Sequence, residues 1–342
     1  MKLKVVAIVL VLCCLLMAFS KEIKTGLFNA PKSWPTPVYN FNNNPLTQEK
    51  IELGRALFYD PILSKDSTIS CAGCHSQYNA FAHVDHALSH GINDQIGNRN
   101  APALMNLAWS THFMWDGAIN HLDMQALAPI SHPLEMNETI LHVTQKLQRN
   151  PLYVAFYKKA FGDAAVTGER TLKALSQFML TLVSAQSKYD SVMRGEQQFT
   201  AQEQKGYSLF KTHCAVCHTE PLFTNKQFEN NGLPTDPELM DIGRMKITQA
   251  KADSLKFKVP TLRNIEFTFP YMHDGRFKYL KDVLNHYSSG IAATPTLSVH
   301  LKNGLEFTPT EKVDIIAFLL TLTDKSFLFD ERYSYPKHIF KP

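Results

Sequence analysis

Cys71-Ala72-Gly73-Cys74-His75 and Cys214-Ala215-Val216-Cys217-His218 are two copies of one five-residue pattern. Two thiols three positions apart can add to the two vinyl groups of one porphyrin, and the imidazole that follows reaches the iron from the proximal side. A four-cysteine zinc site, a thiol redox pair or two disulfides would employ the same cysteines but leave His75 and His218 unexplained. The pattern therefore reads as two covalently bound c-type haems on one chain.

Working outward, each copy sits in a longer repeat. Gln48-Glu49-Lys50-Ile51-Glu52-Leu53-Gly54-Arg55-Ala56-Leu57-Phe58 precedes the first motif, and Gln202-Glu203-Gln204-Lys205-Gly206-Tyr207-Ser208-Leu209-Phe210 the second. Both carry Gly-x-x-Leu-Phe behind a threonine cap signal, Thr47 and Thr200, with Glu or Gln close behind, which predicts a helix leading into each haem. Downstream, Pro102-Ala103-Leu104-Met105-Asn106 answers Pro260-Thr261-Leu262-Arg263-Asn264. Thirteen residues past each proline come Trp115-Asp116-Gly117 and His273-Asp274-Gly275. A last echo, Phe178-Met179-Leu180-Thr181-Leu182 against Phe318-Leu319-Leu320-Thr321-Leu322, predicts a closing helix in each half. The fold expected is mainly α, two tandem cytochrome c-like haem domains over 21–194 and 195–342, joined at the polar run Arg194-Gly195-Glu196-Gln197-Gln198. No segment shows sustained strand alternation.

The chain has 342 residues, 44% apolar and 19% charged, with 22 Phe, 12 Tyr and 3 Trp, which excludes a disordered protein and suits the covering of large flat surfaces. With 35 basic against 31 acidic residues, nucleic acid is not an expected partner. Lys2 and Lys4 precede an apolar run from Val5 to Phe19, and Ala18-Phe19-Ser20 fits a small-x-small cleavage site. Residues 1–20 read as a signal peptide and the mature chain as periplasmic, an uncleaved leader acting as anchor being the alternative. Cys13 and Cys14 lie inside the leader.

Together these motifs, with Arg99-Asn100-Ala101-Pro102, Phe113-Met114-Trp115-Asp116-Gly117, Pro133-Leu134-Glu135-Met136 and Pro270-Tyr271-Met272-His273-Asp274-Gly275, resemble the bacterial dihaem cytochrome c peroxidases and their MauG-type relatives, from about Pro45 to Asp324. The resemblance implies a peroxidatic first haem and an electron-transfer second haem. A haem that reduces peroxide needs an open distal face and a proton-moving base. The resemblance gives Glu135 that acid-base role and Gln125 a place in the pocket's polar network. Read from the residues alone, Glu135 is equally a cap for a helix beginning at Asn137 or a solvated carboxylate. His83, His86 and His90 crowd the segment after the first motif. Peroxidases that need prior reduction close the distal site with a loop histidine, and here Ser89-His90-Gly91 falls about two residues off that register with Ile92 in the matching place. A distal site free of histidine is expected, with His90 the alternative ligand.

At the second haem the resemblance departs from the peroxidases, whose methionine ligand fourteen residues after the His-Asp-Gly histidine is here Tyr287, as in MauG-type enzymes. A phenolate donates charge to iron and lowers its potential. Met272 or His286 as ligand, with Tyr287 packing on the porphyrin, is the alternative. Trp115 matches the tryptophan proposed to carry electrons between the haems, a buried core tryptophan being the other reading. A calcium ion between the domains is also implied, on the Asn100 side chain and the Thr268 and Pro270 carbonyls.

Three functions compete. A peroxidase would reduce hydrogen peroxide to water with electrons from a small donor protein, a cytochrome c or cupredoxin. A MauG-type oxidase would modify residues of a partner protein. A plain electron-transfer cytochrome would leave Glu135 and Gln125 incidental. Peroxidase ranks first, and dimers are common in the proteins it resembles.

Overall fold

A computed structural model describes residues 26–83 and 86–340; the leader, with Cys13 and Cys14, lies outside the described residues. The main helices are α1 (Gln48–Tyr59), α2 (Ile140–Arg149), α3 (Pro151–Phe161), α4 (Gly168–Thr181), α5 (Ala201–His213), α6 (Leu280–Asn285) and α7 (Pro309–Leu320). Two-residue strands, β1 (Phe228–Glu229) and β2 (Phe257–Lys258), pair antiparallel with Phe228 opposite Lys258. Among the described residues, no helix is long and apolar enough to cross a membrane.

The repeat is physical. α1 packs on α4 and α5 packs on α7. In the first pair Gly54 faces the Ala174 carbonyl and Phe178; in the second Gly206 faces the Asp314 carbonyl and Phe318, and a Cβ on either glycine would run into that carbonyl oxygen. Gly-x-x-Leu-Phe is therefore a close-crossing device: glycine lets the backbones touch, and the Leu–Phe pair fills the core beside the crossing. Asn106 and Asn264 both adopt left-handed backbone, φ 58° and 56°. Each ties its loop to the end of its closing helix, Asn106 N–H to Leu182 O (2.8 Å) and Asn264 N–H to Leu322 O (3.1 Å). The bridges Phe113 to Ile119 and Tyr271 to Phe277 then set Trp115 and His273 at equivalent places.

Each helix pair carries its own core. Phe58, Phe81 and Phe178 lie in one cluster with Cys71 and Ala72; Phe210, Phe223 and Phe318 lie in the other with Cys214 and Ala215. The polar run 194–198 is exposed. The division expected at 194/195 is nonetheless crossed in both directions. Tyr189 belongs to the second core, while Phe327, Leu328, Tyr333, Ile339 and Phe340 join the first. The tail is held by Arg55 Nε to Ser334 O (2.7 Å), Tyr59 Oη to Tyr333 O (2.6 Å) and Gln77 Nε2 to Asp330 O (2.8 Å). At the crossover the buried Asp324 accepts from the backbone N–H groups of Ala185 and Gln186, both at 2.9 Å.

Candidate dihaem site

Cys71–Cys74 form one helical turn and His75 ends it, while Cys214 closes α5 and His218 follows. His75 Nδ1 donates to Phe81 O (2.7 Å); His218 Nδ1 lies 3.2 Å from Phe223 O and 3.1 Å from Pro260 O. Burial pushes both imidazoles down to about 4, so both rings are neutral at physiological pH. With Nδ1 committed to a carbonyl, Nε2 is the nitrogen left for iron. Burial also pushes the thiols up, Cys71 and Cys214 to about 12 and Cys74 and Cys217 to about 11, opposite to what a nucleophilic or zinc-binding thiolate needs. The four thiols are free of disulfides, and no cluster of three metal-ligating side chains forms among the described residues.

The residues fit a haem at the second motif. A cavity of about 270 Å³ opens beside Cys214, Cys217 and His218, with apolar walls from Phe210, Leu262, Ile265, Leu284 and Phe307. Lys258 lines it, its ammonium without a partner among the described residues and pushed down to about 8 by burial, a cation poised for an anionic group such as a propionate. Tyr287 also lines it, on a π-helical turn over His286–Gly290, the kind of helix defect that often marks functional sites. Burial pushes the Tyr287 phenol up to about 12, a contact with Asn231 partly offsetting this. His286 is engaged elsewhere, its Nε2 3.0 Å from Asn231 O. Met272 lines the cavity, with its sulfur 3.4 Å from Asn231 Nδ2.

The first site differs. Glu135 lies within electrostatic reach of Cys71 and Cys74, and burial holds its carboxyl above the usual carboxylate range, partly offset by His132 at 3.9 Å. It caps no helix: the next one begins at Ile140 behind Thr139, whose N–H is taken by Glu138. Gly91 presses on the Leu134 and Glu135 carbonyls so closely that a Cβ would not fit, and Ile92 N–H donates to Glu135 O (2.8 Å). His90 turns to Asp94 (3.5 Å) and to His86, ring centroids 4.6 Å apart. Gln125 is buried, its amide 4.0 Å from Met114 Sδ rather than hydrogen-bonded to Glu135.

Between the motifs, Trp115 lines the second cavity, donates from Nε1 to Asn100 O (2.8 Å) and accepts at its own carbonyl from Lys258 N–H (2.7 Å). Asn100, Thr268 and Pro270 line the same cavity, and Asn100 donates to Ala87 O (3.0 Å) and His273 O (2.7 Å). Sequence reasoning missed what braces this region. Arg99 bridges Asp116 (2.6 Å) and Asp241 (2.6 Å), and Phe257 stacks on His273 with centroids 3.7 Å apart. Arg99 was visible within its motif, but Asp241, Phe257 and Lys258 sit in no repeated segment.

Residues 48–198 match the family model described as di-haem cytochrome c peroxidase. The methylamine utilization protein MauG of Methylorubrum extorquens is 37% identical over 307 residues, 86% of this chain and 83% of that protein. The cytochrome c551 peroxidase of Nitrosomonas europaea is 36% identical over 284 residues, 82% of this chain and 81% of its own. A crystal structure of a MauG-like protein associated with microbial copper homeostasis superposes with a TM-score of 0.80 at 31% identity, covering 90% of this chain and 98% of that one. The diheme peroxidase BthA of Burkholderia thailandensis shares the fold, with a TM-score of 0.72 at 22% identity, 85% of this chain and 88% of its own. A mainly helical chain with two haem-attachment motifs on a duplicated core, matched along most of its length by these proteins, belongs to the di-haem cytochrome c peroxidase and MauG family.

Proposed function

We propose that this protein is a dihaem peroxidase that reduces hydrogen peroxide to water with electrons from a small redox protein, a cytochrome c or cupredoxin. The observation that carries the reading is the asymmetry of acids: a shielded carboxyl, Glu135, beside the first attachment motif, against a phenol, Tyr287, beside the second. A haem bound at Cys71, Cys74 and His75 would supply the iron that binds peroxide and the electrons that cleave its O–O bond, to be replaced from the donor protein. Glu135 takes the proton from the iron-proximal peroxide oxygen and delivers it to the distal one, so that water leaves. Gly91 and Ile92 fix the backbone under that carboxyl. Gln125 contributes an amide to the pocket wall, and Trp115 lies on the electron path from the second site. Asn100, through its side chain, and Thr268 and Pro270, through their carbonyls, would supply oxygen ligands to a calcium ion. His218 and Tyr287 would hold the iron of a second haem bound at Cys214 and Cys217, and the leader places the working protein in the periplasm.

Tyr287 favours a second reading, an oxidase acting on residues of a partner protein, because phenolate ligation stabilises oxidised iron more than thioether ligation does. Turnover with hydrogen peroxide and a small reduced cytochrome separates the two. Rapid donor-dependent peroxide consumption supports the peroxidase; slow donor oxidation with a long-lived oxidised spectrum after stoichiometric peroxide supports the oxidase.

A further inference from the structure

The phenylalanine triads of the two halves superpose in kind. Phe58–Phe178, Phe58–Phe81 and Phe81–Phe178 have centroids 5.2, 5.8 and 6.3 Å apart; Phe210–Phe318, Phe210–Phe223 and Phe223–Phe318 stand at 5.0, 5.4 and 6.3 Å. In each, one ring belongs to the residue whose carbonyl accepts from the haem-motif histidine, Phe81 or Phe223. What surrounds the triads is not the same. Around the first, Tyr59 and Tyr333 donate their phenols to backbone carbonyls, Tyr333 O and Thr181 O. A carbonyl holds a proton in place and does not take it. Around the second, Tyr189 and Tyr207 both donate to one carboxylate oxygen, Glu220 Oε1, at 2.5 and 2.9 Å.

Tyr189 is buried with its ring 4.8 Å from Phe223, and Phe210, the next ring in, lines the second cavity. Tyr207 is half-buried, 6.3 Å from Tyr189, so the same ring chain runs from the cavity to the surface. Two cations stand over it: Lys211 lies 4.6 Å from the Tyr207 ring and Arg263 6.0 Å from the Tyr189 ring. A positive ring is disfavoured beside such charges, so an electron can leave only if a proton leaves with it. Tyr153 of the first core also donates to a carboxylate, Asp60 (2.6 Å). Among the described tyrosines whose rings contact a triad, Tyr59 and Tyr333 in the first and Tyr189 and Tyr207 in the second, only the second pair is hydrogen-bonded to a carboxylate.

We propose that Tyr189, backed by Tyr207, is a redox-active tyrosine that gives one electron through Phe223 and Phe210 toward the oxidised second haem while its phenolic proton moves along the existing hydrogen bond to Glu220. The inference rests on the proposed function, since hydrogen peroxide is the oxidant. Peroxide removes two electrons, and Tyr189 replaces one of them. The O–H bond breaks, a neutral phenoxyl radical and a protonated Glu220 remain, and a one-electron donor then restores the phenol as Glu220 returns the proton. When donor is scarce, this draws oxidising equivalents away from the haem pair toward the surface edge at Tyr207.

The test uses the haem-loaded full chain with one equivalent of hydrogen peroxide and no donor, freeze-quenched for EPR. A tyrosyl radical signal that narrows with ring-deuterated tyrosine is expected, lost in large part in Tyr189→Phe and unchanged in Tyr59→Phe, a phenol whose ring contacts the triad of the first half. A nitroso spin trap should give adducts that peptide mapping places at Tyr189 or Tyr207. An equal signal in the Tyr189→Phe/Tyr207→Phe double variant, or peroxide consumption with no protein radical at any time, overturns the relay and leaves the peroxidase reading intact. Failure of the haem-loaded protein to consume peroxide at all overturns both.

Discussion

The two halves are one framework used twice, and their differences are concentrated where charge is handled. Both cross their helices over a glycine, tie a left-handed asparagine to the closing helix and lock a histidine Nδ1 on a phenylalanine carbonyl. Beyond that, the first half puts a carboxyl next to its motif, and the phenols whose rings meet its phenylalanine triad, Tyr59 and Tyr333, donate to backbone carbonyls. The second has a phenol next to its motif and a buried ion pair, and the phenols at its triad, Tyr189 and Tyr207, end on the Glu220 carboxylate. The scaffold is repeated; specialisation lies in a few polar residues placed around it, of which only some, such as Met105 against Arg263, stand at matching positions. Each comparison can be broken or sharpened by a substitution.

The largest effect is expected at Glu135. Glu135→Gln keeps the shape and removes the proposed proton carrier, so peroxide turnover should fall by about two to four orders of magnitude, with haem content unchanged. Because burial raises the Glu135 carboxyl, its ionised form is lost well before an ordinary carboxylate's as pH falls. Turnover should therefore decline toward acid through a limb lying above the usual carboxylate range, and that limb should be missing in the variant. The sign for stability is opposite. A raised carboxyl contributes stability that is present below the unfolded value, 4.5, and is lost as pH rises through the folded one. Glu135→Gln should thus leave thermal stability at neutral pH unchanged or higher, which distinguishes loss of chemistry from loss of fold. Steady-state kinetics against pH and thermal melts check both halves of this prediction.

Next comes the position where Met105 of the first repeat is answered by Arg263 of the second. Arg263 is fully buried and forks onto Asp190 at 2.8 and 2.9 Å, with Trp34 4.5 Å over its guanidinium. Burial works against ionised Asp190, yet Arg263 holds it below the usual carboxylate range. Arg263→Met makes the second half like the first but strands a buried carboxylate, costing about 3–5 kcal/mol in denaturant unfolding. Adding Asp190→Asn removes the stranded charge and keeps an acceptor for Ser187, so the double variant should recover most of that loss. A double variant as unstable as the single one would mean that the packing of the guanidinium, not its charge, matters here.

How much of this was legible follows from the range of each interaction. The haem motifs, the Gly-x-x-Leu-Phe crossings and the paired Pro-x-x-x-Asn loops are short patterns whose physics is local or repeated, and they marked the helical tandem fold. Arg263 could be seen in its loop, but its partner lies 73 residues away and carries no motif. The same holds for the tail that returns to the first core, for Asp324 at the crossover and for Lys258 in the second cavity. Glu135 was singled out through resemblance; its setting against Gly91 and Ile92 is a contact between segments that no periodicity reports. The resemblance likewise pointed to Tyr287, while the engagement of His286 with Asn231 needed the fold.

The crossing glycines give a smaller and symmetrical effect. Gly54→Ala and Gly206→Ala each place a methyl group against a helix carbonyl, and the helices must part to admit it. Overpacking of this kind costs about 1–3 kcal/mol, and the two variants should cost alike if the repeat is as exact in packing as in backbone. Unequal losses, measured by denaturant unfolding of the haem-loaded protein, would show that one half is the more tightly built.

The smallest effect concerns how α1 and α5 begin. Thr47 and Thr200 each accept the backbone N–H three residues on, both at 3.2 Å, so Thr47→Ala and Thr200→Ala should each cost about 1 kcal/mol. The reciprocal bond is made differently. Glu203 reaches back to Thr200 N–H within its own helix and also pairs with Lys188 (2.6 Å), a local capping box. In the first half position 50 is lysine, and Thr47 N–H goes instead to Gln177 on α4 (3.1 Å), whose amide is buried against Asn44 and Pro45. Removing a local, half-exposed partner costs less than orphaning buried acceptors, about 0.5–1 kcal/mol against about 1–3 kcal/mol. Glu203→Ala should therefore be the milder change and Gln177→Ala the harsher, although the two threonines behave alike. The reverse order in unfolding measurements would mean that the first half, too, starts its helix from local sequence and needs no help from α4.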